Sequence, residues 1–303
     1  MDRGEGMYFF TDTEQKYLIN KLLPKARERG IEEELRGWNW HSSPVKPYYE
    51  SKIPMYLVCS QYCPTHRDVY LKLVENVRER FNYRVSQGIG MHKLVEFLIS
   101  SYQDGKEVEF EKWWEEKSKN ISDPSWVEPM RRRAIKIWEL VETQIKYQLI
   151  KRKSEQPYSN KRDILATAIP LLVGHRVSGE LLGLSGLLTV DAYDYLRNIV
   201  FDLKVSDEEK DWYRLYPTGY AMVLESIYEV PIDIGVVVYL RFNRDDEPYV
   251  KKDMFFIDDD LRSWWIEERD KKLKIVAERL DPGLPKKCEE TCIYYHYCRG
   301  EGT

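Results

Sequence analysis

The chain has 303 residues, is 43% hydrophobic and 32% charged, and sets 47 Lys and Arg against 51 Asp and Glu for a formal net charge of -4. A chain of this size buries roughly 75% of the surface it would expose unfolded, and its composition excludes a disulfide-stapled miniprotein, a collagen-like repeat or a disordered tail. No apolar run is long enough for a membrane span, because the best two, residues 164–174 and 232–240, are interrupted by Pro170 and Asp233. The opening MDRGEGMYFF has acidic residues where a secretory signal needs a basic start, so a cytoplasmic location is expected.

Helical texture runs to about residue 160. A polar-faced helix is expected at 13–28, a loop rich in Pro, Ser and Trp at 37–54, and a second helix at 66–81. A further helix begins near Gly90 and shows Leu94, Phe97 and Leu98 at the 3, 4 spacing of an amphipathic face. From Trp126 onward Ile135, Trp138, Val141, Ile145 and Leu149 sustain the helical period. After Pro157 come three short β-branched segments, 169–177, 186–193 and 197–205, separated by Gly or Asp and read as consecutive strands. Residues 207–228 return to helix, 232–242 and 249–257 read as strands, and a last helix spans 258–280. The expected class is α/β in the α+β sense, a mixed sheet with helices packed on it. It divides into a helical region at 1–160, a sheet-and-helix core at 161–257, and a C-terminal helix with a cysteine-rich tail at 258–303.

The five cysteines cluster at the two ends, Cys59 and Cys63 against Cys288, Cys292 and Cys298. An odd number in a chain expected to be intracellular argues against a disulfide framework, and C-x3-C followed by x5-C argues for metal ligation. Spacing leaves two metals open. Zinc would pair Cys59 and Cys63 with two of the tail thiols, or with His296 as a substitute. An iron-sulfur cluster would take four thiolates, three close together and one distant.

The segment NIVFDLKVS puts Asp202 and Lys204 two residues apart, hence on one face of a strand. The strand before it, LLTVDAY, also ends its apolar run on an acid, Asp191. Two adjacent strands that deliver carboxylates to one end can hold a divalent ion, which prefers oxygen ligands. A lysine beside them can position an attacking water and offset phosphodiester charge. The bland reading of a lone D-x-K is an edge-strand ion pair. Upstream, G-I-G-M-H places His92 near the start of an apolar-faced helix, and downstream Tyr216 and Tyr220 lie at i, i+4 on one helix face.

That order of motifs resembles the RecB-like branch of the PD-(D/E)xK nucleases, with their restriction-endonuclease-like mixed sheet. Together with one N-terminal and three C-terminal cysteines, it is similar to the CRISPR-associated iron-sulfur nucleases of spacer acquisition, the "Cas four" type and its archaeal "Csa one" subgroup. The core motifs run from His92 to Tyr220, and the cysteines extend the match from Cys63 to Cys298. The resemblance implies that His92, Asp191 and Asp202 ligate manganese or magnesium, with the Leu203 carbonyl as a further ligand. It also implies that Lys204 activates water and that Tyr220 supports the site. The element YCPTHR resembles the family's Y-C-P-x-x-R, which nominates Cys63 beside Cys288, Cys292 and Cys298 as ligands of a cluster of the 4Fe-4S kind. The implied activity is metal-dependent cleavage of prespacer DNA, in partnership with the CRISPR integrase and other adaptation proteins. The alternative is a non-catalytic iron-sulfur DNA-binding or scaffold subunit of the same complex. Two positions depart from the family pattern: Tyr216 stands where it has glutamine, and Leu188 where it has glycine. No G-x4-G-K-[ST] phosphate loop is present, which excludes a helicase-nuclease.

Basic residues gather at Arg131, Arg132 and Arg133, at Lys151 to Lys153, and at Lys161 and Arg162. The first group in particular is expected to contact DNA phosphates, with Trp126 or Tyr158 available for base stacking; the alternative is a solvated helix face.

Overall fold

Five strands form the centre of the fold: β1 (Leu171–Val177), β2 (Leu188–Asp194), β3 (Ile199–Val205), β4 (Ile234–Phe242) and β5 (Pro248–Phe256), in spatial order 1-2-3-4-5. The computed structural model describes residues 6–300; the first five residues of the MDRGEGMYFF opening and residues 301–303 lie outside the described residues. β1, β2 and β3 run antiparallel in succession, β3 and β4 are parallel, and β5 returns antiparallel. A parallel pair needs a crossover, and the helix at Leu215–Tyr228 supplies it. The sheet is therefore mixed, as the α+β reading expects.

Both faces are covered, which is why β3 and β4 read as nearly unbroken apolar runs. On the first face Ile199, Phe201 and Leu203 of β3 pack with Val236 and Val238 of β4. They meet two long helices, α5 (Tyr83–Gln103) and α7 (Val127–Glu155), and the segment Met7 to Phe10. Tyr8 and Phe10 each set a ring 5.5 Å from that of Phe201. On the second face Val200, Val237 and Tyr239 pack under α9 (Leu215–Tyr228), α10 (Asp259–Glu278) and the short α3 (Met55–Cys59). No described helix is long and apolar enough to cross a membrane.

Several boundaries move for local reasons. The N-terminal helix is α1 (Asp12–Tyr17) and α2 (Leu23–Arg29), joined by a π turn at Leu18–Leu22. Pro24 has no N–H to donate, and the wider turn precedes it. The helix expected at 66–81 is only α4 (Arg67–Leu73). Asn76 adopts φ +55 and the Val77 N–H bonds the Leu71 carbonyl, a left-handed helix stop. Conversely α5 starts at Tyr83, not Gly90, because the Asn82 side chain caps the Val85 N–H and the helix continues through Gly88 and Gly90. Three helices were not among the expected elements besides α3: α6 (Phe110–Ser118), α8 (Lys161–Ala168) and the tail's α11 (Tyr295–Arg299). The stretch from 207 becomes helical only at 215, after a 3-10 turn at Asp211–Arg214, and Pro217 falls in the first turn where its missing donor costs nothing.

Candidate active site

The site forms where two strands part. β2 pairs with β3 from Asp194 opposite Ile199 to Ala192 opposite Phe201. One step further in that register would set Asp191 against Asp202, but there the ladder ends. Asp191 Oδ2 instead accepts the Leu203 N–H at 2.8 Å, so a carboxylate satisfies a donor that the β2 backbone does not.

A second irregularity accompanies the fork. Leu171 and Ala192 belong to the first-face core, whereas Val177, Leu188 and Val190 belong to the second. Residues two apart share a face in a regular pleat, so β1 and β2 turn over together between these sets. Gly174 and Asp191 face each other at that point, between the pairs Val173 with Ala192 and His175 with Val190. Gly174 has φ +55, and a β-carbon there would land on the Glu96 carboxylate. The glycine thus permits both the backbone turn-over and the close approach of α5.

Helix α5 brings His92 to the fork. His92 Nδ1 lies 3.1 Å from Asp191 Oδ1. Burial works against the charged imidazole, but the Asp191 carboxylate outweighs it and the His92 pKa is raised. Burial would raise Asp191 in turn; His92, the Leu203 N–H and Lys204 prevail, and its pKa is lowered. Asp202 differs. It is 3% exposed, and burial pushes its carboxyl up to about 6, with Asp191 adding to the rise and Lys204 opposing it. Lys204 Nζ reaches 2.8 Å from Asp202 Oδ2 but not at a hydrogen-bonding angle, so this buried oxygen accepts from no donor. A sealed carboxylate oxygen without a donor costs free energy unless something positive meets it.

Helix α9 covers the fork from the second face. Lys204 Nζ stands 3.4 Å from the centre of the Tyr216 ring and 5.5 Å from that of Tyr213. Tyr216 thus gives the lysine a cation-π contact. Tyr220 is held well above the ordinary tyrosine range by burial and by Asp191 and Asp202, so it remains a neutral hydroxyl beside the acids. Sequence reasoning missed three contributors. Tyr8 feels Asp191, Asp202 and Glu96; Glu96 lies one helical turn after His92; Gly174 opposes Asp191. The i, i+4 spacing of His92 and Glu96 and the isolated glycine inside a strand were the available signals.

His92, Asp191 and Asp202 are oxygen and nitrogen donors of the types that divalent ions take, and Asp202 Oδ2 already meets one cation, the Lys204 ammonium at 2.8 Å. Among the described residues no three His, Cys, Asp or Glu side chains converge as a ready-made metal cage. His92 and Asp191 bond each other, and the Leu203 main chain is tied to Asp191.

The thiols separate into one and four. Cys59 on α3 is fully buried beneath α9, its thiol pushed up by burial within electrostatic reach of Lys204 and Asp202. Cys63, Cys288, Cys292 and Cys298 are half-buried and act on one another: burial, then Cys288, Cys63 and Cys298, push Cys292 up to about 11. Arg67, from YCPTHR, donates to Cys298 Sγ at 3.5 Å and grips Asp281. The tail is also fastened to the stretch before α5, by the Arg80 N–H to the Ile293 carbonyl and by the Asn82 side chain to the Thr291 carbonyl. These four thiols are of the ligand type an iron-sulfur cluster takes, although among the described residues they do not converge as a ready-made cage.

The arginine run lies on α7 and pairs with carboxylates other than Asp191 and Asp202. Arg131 pairs with Glu111 at 2.6 Å, and Arg132 and Arg133 pair with Asp246 in the β4–β5 turn at 3.4 and 2.7 Å. Arg133 also lies 4.6 Å from the Phe242 ring centre. All three therefore already face a carboxylate.

Fold and site together define an α+β protein that presents His, two Asp and Lys at a strand fork, with a separate set of four thiols. The chain belongs to the CRISPR-associated exonuclease Csa1 family, whose model matches residues 7–301. It is similar to the CRISPR-associated exonuclease Csa1 of Saccharolobus solfataricus, at 29% identity over 301 residues covering 96% of this chain and 99% of the relative. It is also similar to the protein of the same name from Thermoproteus tenax, at 28% identity over 292 residues covering 93% and 98%.

Proposed function

We propose that this chain is a metal-dependent DNA nuclease of the PD-(D/E)xK, RecB-like type that processes prespacer ends during CRISPR spacer acquisition, together with the CRISPR integrase. The observation that carries the reading is the fork itself: Asp191 and Asp202 at the parting of β2 and β3, with Lys204 against a buried Asp202 oxygen that has no donor. Membership of a family named for exonucleases supports it. His92, Asp191 and Asp202 would hold manganese or magnesium, the Leu203 carbonyl lying between two site residues. The ion would supply charge neutralisation at the phosphodiester and acidify a bound water. Lys204, steadied on the Tyr216 ring, orients the attacking water and offsets charge on the phosphate oxygens. Tyr220 keeps a neutral hydroxyl beside the acids. His92 fixes the Asp191 carboxylate, whose other oxygen is fixed by the Leu203 N–H. Cys63, Cys288, Cys292 and Cys298 would hold a 4Fe-4S cluster that joins the YCPTHR segment to the tail.

The test is digestion of end-labelled single-stranded DNA by anaerobically purified protein, with manganese and with chelator. Manganese-dependent release of nucleotides is the expected result. A brown, iron-loaded protein that binds DNA and never cuts it would instead establish the scaffold reading.

A further inference from the structure

An open groove of about 770 Å³ runs along the edge strand β1, between it, the C-terminal end of α5 and α8. Its floor is apolar, from Leu165, Leu172 and Val173, with the half-exposed ring of Tyr195 on its wall. Its cations are Lys161 and Arg162 at the start of α8 and Arg176 on β1. Among the described residues none of these three has a carboxylate within 4.0 Å. The acid in the lining, Asp104, is neutralised by Lys106 at 2.6 Å. That sets them apart from Arg131, Arg132 and Arg133, whose charges already face Glu111 and Asp246. Gly174 also lines the groove and faces Asp191 across the β1–β2 pair. The groove thus reaches the strand position that lies opposite a site acid in the register.

We infer that this groove binds single-stranded DNA and directs it, past Gly174 and the Glu96 carboxylate packed on that glycine, toward the strand fork. Unpaired cations beside an apolar and aromatic floor fit a strand that offers phosphates and open base faces at once. A duplex shows phosphates but hides its bases, so it has no use for the floor. The destination of the strand rests on the nuclease reading, whereas the groove's occupancy is measured without any cutting.

The experiment is fluorescence anisotropy of the full chain with labelled oligothymidine, in chelator, over a series of salt concentrations. The triple variant Lys161→Glu, Arg162→Glu, Arg176→Glu should bind at least tenfold more weakly. Its log-log salt dependence should be shallower by roughly 2, at ~0.7 per lost phosphate contact. Tyr195→Ala should weaken binding severalfold with the slope unchanged, and should leave binding of a matched duplex as it was. A charge control on α6, Lys112→Glu with Lys117→Glu, should bind like the parent. Parental affinity and slope in the triple variant would overturn the groove and leave the edge of β1 to a protein partner. So would an equal loss in the α6 control, because net charge alone would then explain it. A protein that binds through the groove yet never cuts with manganese would keep this inference and sink the nuclease reading; one that cuts, while the triple variant binds unchanged, would do the reverse.

Discussion

Tyr216 sits on α9 against Lys204, where the sequence resemblance leads us to expect a glutamine. A glutamine there would offer an amide; the tyrosine offers a ring face 3.4 Å from Lys204 Nζ, in a buried setting. A desolvated cation-π contact is worth about 2 kcal/mol. Tyr216→Leu should therefore slow DNA cleavage by about thirtyfold, while Tyr216→Phe, which keeps the ring, should stay within a few-fold of the parent. Equal losses in both would assign the role to the hydroxyl. The cysteines make a second residue-scale prediction. On the proposed cluster, Cys63→Ala should lower the iron content of anaerobically purified protein, because Cys63 acts on Cys292 and Cys298, while Cys59→Ala should leave it at the parental level. Cys59 is sealed beneath α9 beside Lys204, so losing its sulfur leaves a small void costing ~1 kcal/mol. His92, Asp191, Asp202 and Lys204 were legible through the order of motifs along the chain, and the structure brings them to one fork; Cys63 was nominated over Cys59 only by the resemblance of YCPTHR. Tyr8 was not legible, since nothing local links residue 8 to residues 191 and 202.

The elements divide along the same line. β3, α7 and α10 were legible because a long period of one kind leaves little choice. α4 and α5 were misjudged at their ends, where one side-chain cap at Asn82 and one left-handed turn at Asn76 decide the boundary. The turn-over of β1 and β2 was invisible because it is a property of the pair. Gly174→Ala tests it. The substitution forces a β-carbon into φ +55 and onto Glu96, and should cost ~1–3 kcal/mol in chemical denaturation. Adding Glu96→Ala should recover the steric part and leave the backbone part. Full recovery would mean that Gly174 serves only as space.

Across the whole molecule, one buried carboxylate ties regions far apart in the chain. Glu225 on α9 accepts from Arg262 on α10, from Arg36 and the Gly37 N–H in the loop, and from the Ile232 N–H before β4. Gly37 is required there, since a β-carbon would strike the Met222 carbonyl. Burial would raise Glu225, but Arg262, the Gly37 N–H and Arg36 outweigh it and hold its pKa below the ordinary 4.5. A lowered carboxylate stabilises the fold fully above its unfolded pKa and loses that contribution as pH falls through the folded value. Denaturation free energy should thus decline as pH falls below ~4.5, and Glu225→Gln should remove this part of the decline while costing ~3–5 kcal/mol at neutral pH, because the buried Arg262 loses its close anion while Arg36 keeps Asp233. A Glu225→Gln protein as stable as the parent at pH 7 would refute the account of this network. Cleavage of DNA at the fork, as proposed, is tested most directly by Asp202→Asn, which is isosteric and removes the charge that meets Lys204 at 2.8 Å. In manganese-dependent digestion of end-labelled single-stranded DNA, this variant should retain its fold and iron content and cleave at least about a hundredfold more slowly, a loss of ~3 kcal/mol in transition-state stabilisation. Cleavage at the parental rate would contradict the assignment of the site.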